Sequence, residues 1–214
     1  FTGLLFAWGV TRIEVDTYSI DFLYADHPTR VDSDRIEDGF GPYTPLEFVV
    51  RSGDGVRVPE VFESVRRWQR EVEDGGHAAW SRSAVDAVVN LDRVLSGEAQ
   101  GSVPQNSAHF EQLLLLLEAD GDSEMARWLA SDETQLRVTF GVAMGSARDF
   151  EDSIHRIIDR SELPANVEVY ASGYIPLYVK IMRHIVESQV SSFAVAFVVI
   201  FGLIAVLFRS FRMA

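Results

Sequence analysis

Residues 135–171 read QLRVTFGVAMGSARDFEDSIHRIIDRSELPANVEVYA, and their periodicities set the fold class. Leu136, Val138, Phe140 and Val142 alternate with Gln135, Arg137 and Thr139, the two-residue period of a strand with one buried face. Ser146-Ala147-Arg148-Asp149 has the form of a capping box, with Asp in place of Glu. The helix it opens buries Phe150, Ile154, Ile157 and Ile158, and Pro164 stops the segment. Residues 166–171 return as a strand with Val167 and Val169 facing inward. The unit is strand, helix, strand.

A second such unit lies upstream. Residues 45–52 alternate Leu46, Phe48 and Val50 against Glu47 and Arg51. A turn follows at Ser52-Gly53-Asp54-Gly55. Val58, Val61, Phe62, Val65, Trp68 and Val72 then recur at helical spacing behind Pro59, and Gly75-Gly76 closes the helix. Residues 77–81 supply the returning strand. Two strand–helix–strand units predict an α+β, ferredoxin-like split βαβ sandwich. A parallel doubly wound sheet needs more alternating units than the chain has.

Residues 83–131 form a helical insertion between the halves. Val85, Val88, Val89 and Leu95 mark one helix ending at Gly97; residues 108–119 make another; Met125, Trp128 and Leu129 mark a short third. The second carries the leucine run 113–117, which has no polar face. It is either deeply buried or packed on a partner. Upstream, residues 11–44 read as a polar connecting segment. Arg12 to Asp16 alternate like a short strand, turn signals stand at Asp26-His27-Pro28 and Gly39-Phe40-Gly41-Pro42, and Asp32, Asp34, Glu37 and Asp38 form a solvated acidic face. A calcium loop starting at Asp32 would need Gly where Glu37 stands.

After the sandwich, residues 190–208 read VSSFAVAFVVIFGLIAVLF, without charge. At 1.5 Å per residue they reach about 28 Å, enough for a membrane span. Arg209 and Arg212 favour a cytoplasmic C-terminal side, which places residues 11–187 outside the cell's inner membrane. The apolar run 1–10 is too short to cross and is expected to be the outer end of a preceding membrane helix. Residues 176–189 form a juxtamembrane helix, and with the residues just before it Tyr174, Ile175, Tyr178, Ile181, Met182 and Ile185 share one side. No Pro or Gly separates it from the span. Pro176 to Phe208 is therefore expected to be one rod, with Ser188, Gln189 and Val190 where the domain meets the membrane. Ser192, Ala196, Gly202 and Ala205 are small positions suited to packing against other membrane helices.

The net charge of −13 argues against nucleic acid and anionic surfaces as partners. No cysteine is present, so disulfides and thiolate metal sites are excluded. Gly53-Asp54-Gly55 lacks the third glycine of a dinucleotide loop, since that position is Val58. Lys180, the only lysine, follows Val179 and not glycine, so there is no Walker A loop. His27, His77, His109, His155 and His184 form no helical zinc pair. No catalytic, cofactor-binding or metal-ligating residue is nominated, and the chain is not expected to be an enzyme. Trp80, Phe110, Leu114 and Trp128, in or beside the insertion, are the candidate lining of a hydrophobic path, with ordinary core packing the competing role.

The order of features resembles a family. Val15-Asp16-Thr17, Phe22-Leu23 and Asp26-His27-Pro28 are similar to the start of the outer loop of resistance–nodulation–division (RND) exporters of the MMPL-like branch. The likeness continues through Asp86, Leu91, Leu95-Ser96-Gly97 and Pro104, then Ser172-Gly173, Ser188-Gln189, Phe193 and Phe208-Arg209-Ser210-Phe211-Arg212. It implies a porter domain at 45–175, between the first and second membrane helices of a longer chain, followed by the juxtamembrane helix, the span at 190–208 and a cytoplasmic start at 209–214. It further implies proton-driven export of lipid or other hydrophobic substrates. The implied partners are the membrane, the remaining membrane helices, a second porter domain and, in some assemblies, further copies of the chain. The proton-relay residues belong to later membrane helices. A membrane-anchored sensor or binding domain is the alternative.

Overall fold

The computed structural model describes residues 23–97, 99–119 and 125–208. It is α+β. Strands β1 (Thr44–Ser52), β2 (Trp80–Ser83), β3 (Gln135–Val142) and β4 (Val167–Ser172) form one sheet in the order β2-β3-β1-β4, and every adjacent pair is antiparallel. β1 stands at the centre, with Thr44 opposite Val142 on one side and Glu47 opposite Ser172 on the other. Helix α2 (Pro59–Asp74) links β1 to β2, and α6 (Ala147–Ile158) links β3 to β4. In each link the two strands run parallel with a third strand between them, which is the split βαβ arrangement that the two repeated units predict.

One face of the sheet is covered. Leu46, Phe48 and Val50 of β1 and Leu136, Val138 and Phe140 of β3 are fully buried against Val61, Phe62, Val65, Trp68 and Val72 of α2 and Phe150 and Ile157 of α6. Phe48, Trp68 and Phe140 meet edge to face, and the Trp68 indole N–H donates to the Ile157 carbonyl at 2.8 Å, tying the two helices together. Burying one such side chain is worth about 1.5–3 kcal/mol, so this layer dominates the stability of the domain. The other face carries Glu47, Val49, Arg51, Arg137, Thr139 and Glu168 and is mostly polar.

The insertion consists of α3 (Ala84–Ser96), α4 (Ser107–Glu118) and the single turn α5 (Met125–Trp128). Ser83 and Asp86 form a capping box at the start of α3, and Gly97 ends it in the left-handed region at φ 70°. The returning strand is β2, shifted from the expected 77–81, because Ser83 both closes the strand and caps the helix. The leucine run splits between its two expected roles. Leu113 and Leu114 are buried, while Leu115 and Leu116 are more than half exposed. Five successive positions at 100° each go right round a helix, so one set must face out.

The segment 11–44 contains a helix that the sequence reading did not anticipate. Within it, α1 (Pro28–Phe40) is a helix, with His27 as N-cap accepting from the Thr29 N–H and Pro28 in the first turn. It buries no residue, and its acids are solvated as expected. Expectations for residues 1–22 and 209–214, including the short alternating strand near Arg12, lie outside the described residues.

Candidate coupling helix and its seat on the domain

The candidate site begins where β4 ends. Gly173 turns the chain at φ 83°, and a Cβ there would stand 2.7 Å from Glu47 Oε2, so both backbone and space call for glycine. Helix α7 (Tyr174–Phe208) starts at the next residue and continues for 35 residues as a single element. That is about 52 Å of helix. Pro176 sits in the first turn, where its missing N–H costs nothing. Ser188, Gln189 and Val190 lie on the uninterrupted middle of the helix and are exposed.

The first third of α7 is seated on the domain. Ile175 and Val179 are buried, and Tyr178 and Met182 are half-buried beside them. Phe150 of α6 meets Tyr178 edge to face at 6.4 Å, Tyr178 stacks on Tyr174, and Arg183 pairs with Glu151 of α6 at 3.3 Å. The contact stripe is therefore 175, 178, 179 and 182. Of the side expected from sequence, Tyr174, Ile181 and Ile185 are instead exposed, and Val179 belongs to the seat. The period is the same, but the docked arc is rotated by about one residue.

Beyond Val186 the helix leaves the domain. Phe193, Phe197 and Leu207 are each about three-quarters exposed (75%, 76% and 79%). The segment Tyr174–Leu207 is long and apolar enough to cross a membrane; its most apolar 18-residue stretch has a mean hydropathy of 2.7, and none of it is buried in the protein. Contiguous exposed apolar patches of this extent are rare on monomeric soluble proteins and mark a protein- or membrane-interaction surface.

The four residues suggested for a hydrophobic path are not brought together. Phe110 and Leu114 are fully buried, Phe110 meeting Phe62 edge to face at 4.9 Å, so both serve the shared core of α2 and α4. Trp80 lies on the uncovered face of the sheet. Its indole occupies the space a side chain at Gly141 would fill and donates to the Pro42 carbonyl at 2.8 Å. Trp128 is half-buried on the same face, with the Arg137 guanidinium 5.1 Å from its ring centre.

Two further clusters were not foreseen from sequence. Arg57 contacts Glu111 (3.0 Å), Glu118 (2.8 Å) and Glu133 (2.9 Å), lining a cleft of about 440 Å³. Burial works against its charge, but the three carboxylates outweigh this and raise its pKa. The cluster clamps the insertion onto the loop between β1 and α2, and its arginine is already saturated. Asp92 accepts from the Ser102 N–H and contacts His109 Nε2 at 3.0 Å, holding the chain between α3 and α4. Neither had a sequence signal, because the partners are far apart along the chain. Among the described residues, no three His, Asp or Glu side chains converge in a way that could hold a metal ion.

No family model and no curated protein matches the chain.

Proposed function

We propose that the chain is the extracytoplasmic porter domain and second membrane helix of an RND-type exporter of the MMPL-like branch, acting on lipid or other hydrophobic substrates. The observation that supports this most is α7. A helix seated on a ferredoxin-like domain through Ile175, Tyr178, Val179 and Arg183 continues without a break into an exposed apolar rod. Such a helix transmits rotation and displacement between membrane and domain. In this proposal the energy comes from proton movement in other membrane helices of the parent chain, and residues 11–187 stand outside the inner membrane.

The experiment uses cells carrying the parent gene, with export of a lipophilic dye measured with and without a protonophore, alongside reporter fusions at Gly97 and Ala214. The proposal expects dye export that the protonophore abolishes, an extracytoplasmic signal at Gly97 and a cytoplasmic one at Ala214. A cytoplasmic signal at Gly97, or dye retention unchanged by deletion of the gene, overturns it.

A further inference from the structure

A second cleft, of about 660 Å³, opens between the C-terminal end of α2 and α6. It lies at the end of the sheet where β4 passes into α7, since Val142 ends β3 there opposite Thr44. Its volume is that of a small-molecule site. The floor is apolar, from Pro42, Ala78, Val142 and Met144. One wall is α6, where Asp149, Ser153 and Arg156 face the cleft at i, i+4 and i+7, with Arg160 next along the same stripe. The opposite wall is His77, whose ring lies against Gly75.

The charges in the cleft are unequally committed. Asp149 Oδ2 is engaged by the Ser146 N–H (3.0 Å) and hydroxyl (2.8 Å) at the helix cap. The Arg156 guanidinium donates to the Ser153 hydroxyl at 3.1 Å and, among the described residues, forms no ion pair as short as those of Arg57, while, after the Ser146 hydrogen bonds, its charge helps to lower the Asp149 pKa. Burial, and then Arg160 and Arg156, push the His77 pKa down, so its imidazole is neutral at neutral pH and offers a hydrogen bond rather than a charge. In a chain of net charge −13, a cleft that sets a guanidinium beside an apolar floor is an exception to its surroundings.

We propose that this cleft binds a single-chain anionic amphiphile, with the head group on Arg156, Ser153 and His77 and the first carbons of the tail along Pro42, Val142 and Met144. A guanidinium and a hydroxyl match carboxylate or phosphate oxygens. The floor covers the tail and excludes neutral sugars and free inorganic anions as equal ligands. The site stands without the exporter reading, because every wall belongs to the folded domain. Its placement still matters for α7. The same helix, α6, faces the cleft with Asp149, Ser153 and Arg156 and seats α7 with Phe150 and Glu151. A ligand in the cleft therefore bears on the element that holds the membrane helix.

The test titrates the full chain, in nanodiscs of zwitterionic lipid with empty nanodiscs as blank, by calorimetry. The probes are octyl phosphate, octanoate, octyl glucoside and inorganic phosphate. Octyl phosphate and octanoate should saturate one site, and the two other probes should bind far more weakly. Arg156→Gln should weaken octyl phosphate by about tenfold or more, the loss of a charge-assisted hydrogen bond. Arg156→Lys should recover much of it, and Arg82→Gln, on the other face of the sheet, should leave it unchanged. Arg156 is exposed, so its variants keep the fold, which thermal unfolding checks. Inorganic phosphate binding as tightly as octyl phosphate would remove the amphiphile from the proposal. Equal binding by wild type and Arg156→Gln, or no saturable binding, would overturn the site.

Discussion

Proline at position 189 tests whether α7 acts as a rod. Gln189 is exposed and lies past the last seated turn, away from the packed core. The change acts on the backbone alone. It deletes the hydrogen bond from residue 189 to the Ile185 carbonyl and sets the ring against that carbonyl, at a cost of about 3 kcal/mol. That energy corresponds to roughly a hundredfold shift in local opening. Geometry amplifies it. The helix beyond 189 extends about 28 Å to Phe208, so a kink of about 20° displaces its far end by about 10 Å. Hydrogen exchange of the chain in nanodiscs should show amides 186–192 exchanging about a hundredfold faster in Gln189→Pro, with the sheet and α2 unchanged. Gln189→Ala should stay within about 0.5 kcal/mol of wild type. On the proposed exporter reading, export by the parent protein should fall sharply for the proline variant alone. Unchanged protection of 186–192 would refute the continuous-rod account. A matching loss of protection in the sheet would refute the independence of the domain from this turn.

Two further outcomes follow from the domain itself. Gly141→Ala places a Cβ 2.1 Å from the Trp80 ring and must push the indole off the sheet, breaking its bond to Pro42; denaturant unfolding should show a loss of about 1–3 kcal/mol, with a red shift in tryptophan emission. Ser146→Ala removes the capping box of α6, costing about 1 kcal/mol at neutral pH. The Ser146 hydroxyl, then its N–H, hold the Asp149 carboxyl below the ordinary range, so the stabilisation is present above the unfolded pKa near ~4 and is lost as pH falls through the lower folded value. The stability gap between wild type and Ser146→Ala should therefore narrow on acidification, and a gap that stays constant would refute the linkage.

The sandwich was legible because its two long strands place apolar side chains at alternate positions. Alternation in 45–52 and 135–142 encodes the covered face directly, and the apolar stripes of α2 and α6 encode the matching one. Helix α1 was not legible for the converse reason. It buries nothing, so Pro28–Phe40 carries no apolar period, and only the pair His27-Pro28 hinted at a start. The continuity of α7 could be read from the absence of breakers, but not the docked arc, because Tyr174, Ile175, Ile181 and Ile185 are all apolar and only packing distinguishes them. Of the suggested path residues, the insertion pair Phe110 and Leu114 went inward, since an apolar side chain in a helical insertion does not reveal which neighbour it faces. The stripe Asp149, Ser153, Arg156 was present as the polar side of α6; what sequence lacked was the opposite wall at His77.

The place of β1 has a consequence in time. Of the four strands of this sheet it is the first to leave the ribosome, and it occupies the middle. Its two neighbours arrive late, Thr44 waiting for Val142 and Glu47 for Ser172. Both of its edges stay unsatisfied while α2, β2 and the whole insertion are being made, and such non-local pairing is slow. The last partner, β4, is followed after a single glycine by α7. Completion of the sheet and synthesis of the apolar helix thus fall within the same few seconds of translation at about 5–20 residues per second.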